Sequence, residues 1–255
     1  MKIVFIGAGN LASSVSLEMQ RVGMTIVQVF SLTAPHAEDL ARRLNCGWTT
    51  STDGITGDAD LYIFAVPDGA LTGVINSVKP NGGLWVHTSG SMPMSVFEGH
   101  AARYGAFYPV QTFTRGRRVE LDGAPIFLET ADPSDMVMLR KIAIALTGNA
   151  READSVMRRH IHLAAVFACN FSNHMYAVAA RLLEREGLSY DVLLPLIGET
   201  AAKVKSLPPL DAQTGPASRG DNDVMEAHLD MLEGDKEIRA IYKVISDNIL
   251  KNIQE

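Results

Sequence analysis

The chain has 255 residues, of which 47% are hydrophobic and 20% are charged, so it can bury a sizeable core in one or two domains. Its formal net charge of −6, without any basic run, argues against nucleic acid as a partner. No apolar stretch reaches membrane-spanning length, and the N-terminus lacks the plan of a signal peptide. Because Cys46 and Cys169 are the only cysteines and form no CxxC pair, we expect a cytoplasmic protein with reduced thiols.

The first twelve residues carry the strongest motif. The apolar run at 1–6 predicts a buried parallel strand, and a GxGxxA pattern with Gly7, Gly9 and Ala12 follows it. In this pattern the first glycine allows a tight turn, the second admits a pyrophosphate, and the small third residue keeps the helix close to the sheet. N–H groups at the helix start, at Asn10 and Leu11, would bind phosphate. We predict a dinucleotide site here; a glycine-rich turn in another α/β protein is the alternative.

Strands and helices then alternate along the chain. Further strands are predicted at 25–30, 48–50, 60–66, 84–88, 105–108 and 125–128, with a last strand or linker at 149–153. Helices are predicted at 35–44, after Asp68, and at 133–146, where Asp132 is the expected N-cap. This alternation is typical of an α/β Rossmann domain with a doubly wound, mainly parallel sheet.

From residue 154 onward the pattern is helical. Helices are predicted at 155–186, 191–206, 223–232 and 235–253, with a Pro/Gly-rich connection at 208–220. The last helix has an isoleucine stripe that needs a partner surface, made of Ile238, Ile241, Ile245, Ile249 and Ile253. We therefore predict a Rossmann domain over 1–152 and an all-α domain over 153–255, and we expect a homodimer through the second domain.

The end of the second strand bears on the choice of cofactor. NAD-specific folds place an Asp or Glu there to accept from the ribose 2′-OH, whereas this chain has Ser31 and Thr33 and no carboxylate. An acid would repel a 2′-phosphate, while the hydroxyl groups of Ser31 and Thr33 can donate to it. We therefore predict NADP as the cofactor, with a Rossmann fold that binds no nucleotide well as the alternative.

Four further motifs follow the later strands or lie in the second domain. They are Val66-Pro67-Asp68, His87-Thr88-Ser89-Gly90, Tyr108-Pro109-Val110-Gln111-Thr112-Phe113, and Gln213-Thr214-Gly215-Pro216 with Arg219-Gly220-Asp221. With the glycine motif they resemble a group of NADP oxidoreductases related to pyrroline-5-carboxylate reductase and the NADP-dependent deazaflavin oxidoreductases. The resemblance covers essentially the whole chain. It implies a Rossmann domain joined to a helical domain of the 6-phosphogluconate-dehydrogenase type, often dimeric, with no well-established substrate.

The resemblance also implies roles at the strand ends. It assigns the glycine motif to the pyrophosphate and Val66, Pro67 and Asp68 to the nicotinamide side, since ligands bind beyond the carboxyl ends of the strands. Ser89 lies at the same rim. His87 is a candidate acid or base because imidazole titrates near neutral pH, and a strand-end histidine bonded to the backbone is the alternative.

The long helix carries Asn170, Asn173 and His174 on one face. Such groups on an apolar helix are costly unless they meet partners. Asn170 and His174 are therefore candidates for holding a substrate carbonyl, and a buried turn or a dimer contact would explain them equally well. Related hydroxyacid dehydrogenases place a Lys one turn before an Asn on this helix. Here the residues four before Asn170 and Asn173 are Val166 and Cys169, so that lysine is missing.

In the Pro/Gly-rich loop, Arg219 could clamp a carboxylate and Thr214 could donate to a substrate, unless the loop is only a connector. No metal site is expected. We predict an NADP-dependent oxidoreductase that transfers hydride to or from a small polar carbonyl or imine in the interdomain cleft. Imine reduction asks little of a protein acid, because hydride transfer is the chemistry of the cofactor. The alternative is a catalytically silent NADP-binding sensor or interaction protein.

Overall fold

The computed structural model describes residues 1–114, 116–117 and 119–254, with side chains up to residue 252. The side chain of Ile253, part of the predicted stripe, lies outside the described residues. The chain forms two compact units, Met1–Asn170 and Phe171–Glu255. The first unit thus includes residues that the sequence analysis assigned to the helical domain, and the functional boundary near residue 152 stays a prediction.

The first unit is built on one sheet of eight strands. They are β1 (Lys2–Ile6), β2 (Thr25–Phe30), β3 (Gly47–Thr49), β4 (Leu61–Phe64), β5 (Leu84–His87), β6 (Tyr104–Pro109), β7 (Ile126–Thr130) and β8 (Ala150–Glu152). Their order is β3-β2-β1-β4-β5-β6-β7-β8, and only the β6–β7 pair is antiparallel. The predicted Rossmann sheet is confirmed. Because β1 lies between β2 and β4, the strand order reverses there, which makes this edge the topological switch point.

Five helices cover the two faces of this sheet. They are α1 (Asn10–Arg21), α2 (Ala34–Leu44), α3 (Asp68–Ser77), α4 (Pro133–Thr147) and α5 (Ser155–Ala165). Side chains of β1 alternate between two cores: Ile3 and Phe5 pack with α1, α2 and α4, whereas Val4 and Ile6 pack with α3. All four are fully buried, as expected for a central parallel strand covered on both faces.

The second unit is helical. A π-helical segment (Val166–Phe171) leads from α5 into α6 (Ser172–Arg185), so the predicted helix at 155–186 is interrupted. The later helices are α7 (Leu194–Lys203), α8 (Pro216–Arg219), α9 (Asn222–Met231) and α10 (Lys236–Gln254); the short α8 was not predicted. Val178, Leu232 and Ile238 form the buried apolar cluster of this unit. None of the described helices has the length and apolar character that crossing a membrane requires.

Candidate functional site

The loop between β1 and α1 has the geometry that the glycine motif predicts. Gly7 adopts a φ of +118°, and a Cβ there would collide with the Ala65 carbonyl oxygen, so glycine is required. Gly9 is the N-cap of α1 and gives it no side-chain cap, and nothing lies within 4 Å of where its Cβ would be. Ala12 is fully buried against the sheet. The first turn of α1 is therefore open to an anion.

Asn10 and Leu11, the first residues of α1, hold that turn in place. The Asn10 side-chain amide donates to the carbonyl of Phe113 at 3.3 Å. Leu11 is partly buried and packs against the core beneath α1. These side chains fasten the helix start to its surroundings, which leaves its backbone N–H groups as the anion-binding element.

A second open helix start lies where β2 ends. Thr33 is the N-cap of α2 but its side chain makes no capping hydrogen bond, and the first turn of α2 has no acidic residue. Ser31 is partly exposed, and its Oγ accepts from the Thr33 N–H at 3.3 Å. Two hydroxyl groups beside a helix N-terminus, without a carboxylate, suit a 2′-phosphate.

A cavity of about 670 Å³ opens beside the glycine motif. Gly9 and Asn10 line it on the α1 side, and His36, Arg43 and Arg117 contribute basic groups from α2 and the loop before β7. Its size suits a small-molecule ligand. The cavity includes neither the end of β2 nor the ends of β4 and β5, and it runs along α1 and α2 past Glu18 and Asp39. Only its part at Gly9 and Asn10 therefore coincides with the predicted nucleotide site.

Val66, Pro67 and Asp68 follow β4 at the switch point. A Cβ on Gly7 would lie only 3.2 Å from the Val66 side chain. The loop after β1 and the loop after β4 are therefore in contact. Pro67 and Asp68 are exposed, and Asp68 is the first residue of α3. The structure thus brings the glycine motif and this segment together at the edge where doubly wound sheets bind their ligands.

His87, the predicted acid or base, is completely buried at the end of β5 and stacks on Phe97. Its Nδ1 accepts from the Ser89 N–H at 3.2 Å, and its Nε2 has no hydrogen-bond partner among the described residues. Burial, and then the positive charge of Arg158, lower the pKa of His87 to about 3. This geometry favours the backbone-bonded alternative for His87 over an acid–base role at neutral pH. Ser89 Oγ in turn accepts two N–H groups of its own turn at 3.0 Å.

A buried ion pair anchors the loop that follows β5. Arg158 in α5 is completely buried and pairs with the Glu129 carboxylate on β7. Its remaining donors reach the carbonyl oxygens of Ser89 at 3.1 Å and Met92 at 2.5 Å. Glu129 also accepts from the N–H and the hydroxyl of Ser155, at 2.9 and 2.8 Å. These bonds tie the loop to α5 and β7, which explains why the first compact unit extends beyond residue 152.

Tyr108 and His162 lie beside the same loop. Tyr108 Oη and His162 Nδ1 are 3.1 Å apart, and the two rings meet edge to face. Gly90 packs so closely on them that a Cβ would come within 2.7 Å of His162 and 2.8 Å of Tyr108. Tyr108 is buried, which raises the pKa of its phenol, whereas His162 is partly exposed. Nothing in the sequence signals this pair, because the fold alone joins β6 to α5.

The other predicted site residues are exposed. Asn170 lies in the π-helical segment of the first unit, and His174 lies in α6 of the second. Thr214 lines an apolar cavity of about 280 Å³ within the second unit. Arg219 ends α8, with its guanidinium 3.9 Å from the Asp221 carboxylate. Their roles toward a substrate stay predictions.

Comparison with known proteins identifies the family. A family model described as NADP oxidoreductase coenzyme F420-dependent matches residues 2–87, and one described as a domain of unknown function (DUF2520) matches residues 124–249. The crystal structure of a Bacteroides fragilis protein, provisionally named an NADP oxidoreductase, is 44% identical, covers 98% of each chain and has a TM-score of 0.92. The chain belongs to the NADP oxidoreductase family.

Two more distant solved structures share the fold of this NADP oxidoreductase. A reductive aminase from Aspergillus terreus, in complex with NADPH4, cyclohexanone and allyl amine, is 16% identical over 98% of this chain and 94% of that chain, with a TM-score of 0.75. A 1-pyrroline-5-carboxylate reductase from Streptococcus pyogenes is 13% identical over 99% and 98%, with a TM-score of 0.66. No curated protein matches the chain.

NADP is the cofactor of this oxidoreductase, as predicted. The first unit fits it: the uncapped start of α1 suits the pyrophosphate, and the start of α2, with Ser31 and Thr33, suits the 2′-phosphate. The open space above Gly9 leaves room for the phosphate oxygens. When bound, NADPH supplies the hydride for a reduction.

Proposed function

We propose that this NADP oxidoreductase reduces a small polar carbonyl or imine compound. The observation that carries the proposal is the absence of lysine from residues 155–185 of the sequence. At the two positions where the lysine of a hydroxyacid dehydrogenase is expected it has Val166 and Cys169, both in the π-helical segment. Reduction of an imine demands less of a protein acid, because hydride transfer is the chemistry of the cofactor.

The proposal gives the residues of the first unit binding and orienting roles. Backbone N–H groups of the α1 start hold the pyrophosphate, and Ser31 and Thr33 hold the 2′-phosphate. Val66, Pro67 and Asp68 border the nicotinamide at the switch point, opposite Gly7. Ser89 shapes the adjoining loop through its Oγ, and the Arg158 pair keeps that loop in one conformation.

Residues beyond the sheet are proposed to select the substrate. Arg219 binds an anionic group, because its exposed guanidinium lies beyond hydrogen-bond distance of the nearest carboxylate. Thr214 supports that contact, while Asn170 and His174 hold the reacting group. Two structural relatives, named as a reductive aminase and a pyrroline-5-carboxylate reductase, support this substrate class.

The proposal includes a homodimer in the cytoplasm. The second unit exposes many large apolar side chains on its helices, among them Leu188, Val192, Leu194, Leu196, Val204, Leu207, Leu210, Met231 and Val244. Patches of this kind are uncommon on monomers and are typical of contact surfaces. A second copy of the chain is the proposed partner.

A screen of NADPH consumption tests the proposed function. The purified chain is given NADPH with cyclohexanone and allyl amine, with 1-pyrroline-5-carboxylate, and with simple keto acids. The Gly9→Asp variant is the matched control, since its Cβ has room but its carboxylate repels the pyrophosphate. We expect turnover with at least one probe and none by the variant. NADPH binding without any turnover across the panel would support the silent sensor instead.

A further inference from the structure

We propose that His162 is the proton donor of the reduction and that Tyr108 is the positioning residue that keeps its ring oriented. The inference rests on the proposed function and assigns it a catalytic residue. It starts from the Tyr108–His162 hydrogen bond at the carboxyl edge of β5 and β6. This pair lies against Gly90, in the loop that borders the nicotinamide side of the site.

The two partners differ in exposure: His162 is partly exposed, whereas Tyr108 is buried. Tyr108 is 8% exposed and lies near the end of β6, two residues beyond Ala106, the last β6 residue that pairs with β5. His162 is partly exposed, and because its Nδ1 is occupied by the phenol, Nε2 is the ring nitrogen left for a substrate. A proton-transfer group oriented by a second group is the usual design of acid–base sites.

Competing groups in the first unit do not meet these conditions. His87 is completely buried and neutral, and Arg158 is fully engaged with Glu129 and backbone carbonyls. Asp68 is an exposed side chain at the first position of α3, without the support of a buried partner that His162 has. His162 is the one histidine in α5 that is both bonded to a neighbouring strand and open to solvent.

The phenol can serve both protonation states of the imidazole. When His162 is protonated, Nδ1–H donates to Tyr108 Oη; when it is neutral, the phenol donates to Nδ1. In either state the bond occupies Nδ1 and leaves Nε2 as the ring nitrogen that can meet a substrate. The charged group that acts on Tyr108 from α5 is Arg158, which Glu129 on β7 balances; the loop residues 88–93 after β5 carry no ionisable side chain.

The proposed step balances without a further reagent. The carbon of the C=N or C=O bond gains the hydride from NADPH, and NADP⁺ is the oxidised product. The electron pair of the π bond moves to the nitrogen or oxygen, which takes the proton from His162 Nε2. The neutral imidazole is then reprotonated by water.

Replacement of His162 gives the first test, in the probe reaction found by the screen. His162→Gln should lower kcat by about a hundredfold or more, the usual scale for loss of a general acid, while NADPH affinity stays unchanged. His160→Gln is the matched control, because His160 is exposed on the same helix, and it should keep full activity. If the wild type is active and His162→Gln keeps its kcat, this inference is wrong and the proposed function stands. If the wild type reduces no probe, both fail.

Tyr108→Phe gives the second test, which does not depend on turnover. The ¹⁵N NMR spectrum of the His162 ring, in the full chain with NADP⁺ and no substrate, should show a hydrogen-bonded Nδ1 in the wild type and lose that signature in Tyr108→Phe. Identical His162 ring spectra in the two proteins would overturn the pairing, even if His162→Gln proved too unstable to assay.

Discussion

At the scale of single residues, access to water separates the two histidines at this sheet edge. His87 ends β5 with an imidazole that no solvent reaches, and its only described bond is to a backbone N–H. His162 is open to solvent and bonded to Tyr108. The buried His87 stays neutral at physiological pH. His162 is the histidine of the two that is proposed to exchange a proton during turnover.

The burial of His87 predicts a pH-dependent stability. Its pKa is about 3 in the folded chain against an ordinary 6.5, so the unfolded chain binds a proton between these values that the folded chain excludes. Its contribution is complete above pH 6.5 and is lost as the pH falls toward 3, by up to about 1.4 kcal/mol per pH unit. His87→Asn keeps an acceptor for the Ser89 N–H but cannot titrate. Urea unfolding from pH 7 to pH 4 should show a shallower loss in the variant; equal slopes would contradict the assignment.

Ser31 predicts the cofactor preference. In Ser31→Asp a carboxylate would repel the 2′-phosphate and accept from a free ribose hydroxyl. We expect NADPH to bind at least about tenfold more weakly than to the wild type, a cost of about 1.4 kcal/mol, and NADH to bind better. Ser31→Asn, of similar size but neutral, is the control and should change NADPH affinity far less. Calorimetry with both nucleotides measures this, and an unchanged NADPH affinity in Ser31→Asp would place the 2′-phosphate elsewhere.

At the scale of elements, α5 is held to the sheet by charge, because Arg158 is its buried residue. Arg158 and Glu129 are both withdrawn from water, and Arg158 also bonds two carbonyl groups of the loop after β5. Removing one partner leaves the other charge buried without compensation, which is far more costly than losing an exposed pair. The loop, α5 and β7 should therefore move or unfold together.

This network predicts a large, non-additive loss of stability. Arg158→Met should lower the free energy of unfolding by about 3–5 kcal/mol, and adding Glu129→Gln should restore part of it. Arg140→Met is the control, because its pair with Glu152 is exposed, and it should cost at most about 1 kcal/mol. Urea unfolding compares the four proteins. Equal losses in Arg158→Met and Arg140→Met would show that the buried pair does not hold the loop.

The sequence predicts the strands and helices of this fold wherever the spacing of apolar residues sets the secondary structure. The run at 84–88 is buried on both faces. Gly7 has no room for a Cβ, and Gly9 leaves the start of α1 uncovered. The links between distant segments could not be read. Arg158 looks like any surface arginine near a helix start, and its burial follows from Glu129 on another element. The π-helical segment was likewise not predicted, since Val166–Phe171 contains no Gly or Pro that would mark an interruption of the helix.

At the scale of the whole molecule, the two compact units differ in how much apolar surface they bury. Two large clusters fill the first unit on either side of the sheet. In the second unit Val178, Leu232 and Ile238 form the buried cluster, and large side chains such as Leu196 and Val244 are more than 60% exposed. Exposed apolar surface of this extent is typical of contact surfaces, which is why a homodimer is proposed.

The exposed apolar helices predict a homodimer. Light scattering at micromolar concentration should give twice the chain mass of 27.6 kDa. Val244→Glu places a charge on the exposed face of α10 and should shift the particle toward the monomer, whereas Lys243→Glu, at the adjacent exposed polar position, should not. A wild-type particle of single-chain mass would contradict the dimer.

We expect this NADP oxidoreductase to move a hydride to a carbonyl or imine carbon. The most direct test is mass spectrometry of the product formed from the probe that the screen identifies and NADPH that carries deuterium at both C4 positions of the nicotinamide. We expect one deuterium, bonded to the former C=N or C=O carbon, and no labelled product when Gly9→Asp replaces the wild type. Product without deuterium, or tight NADPH binding with no labelled product from any probe, would contradict it.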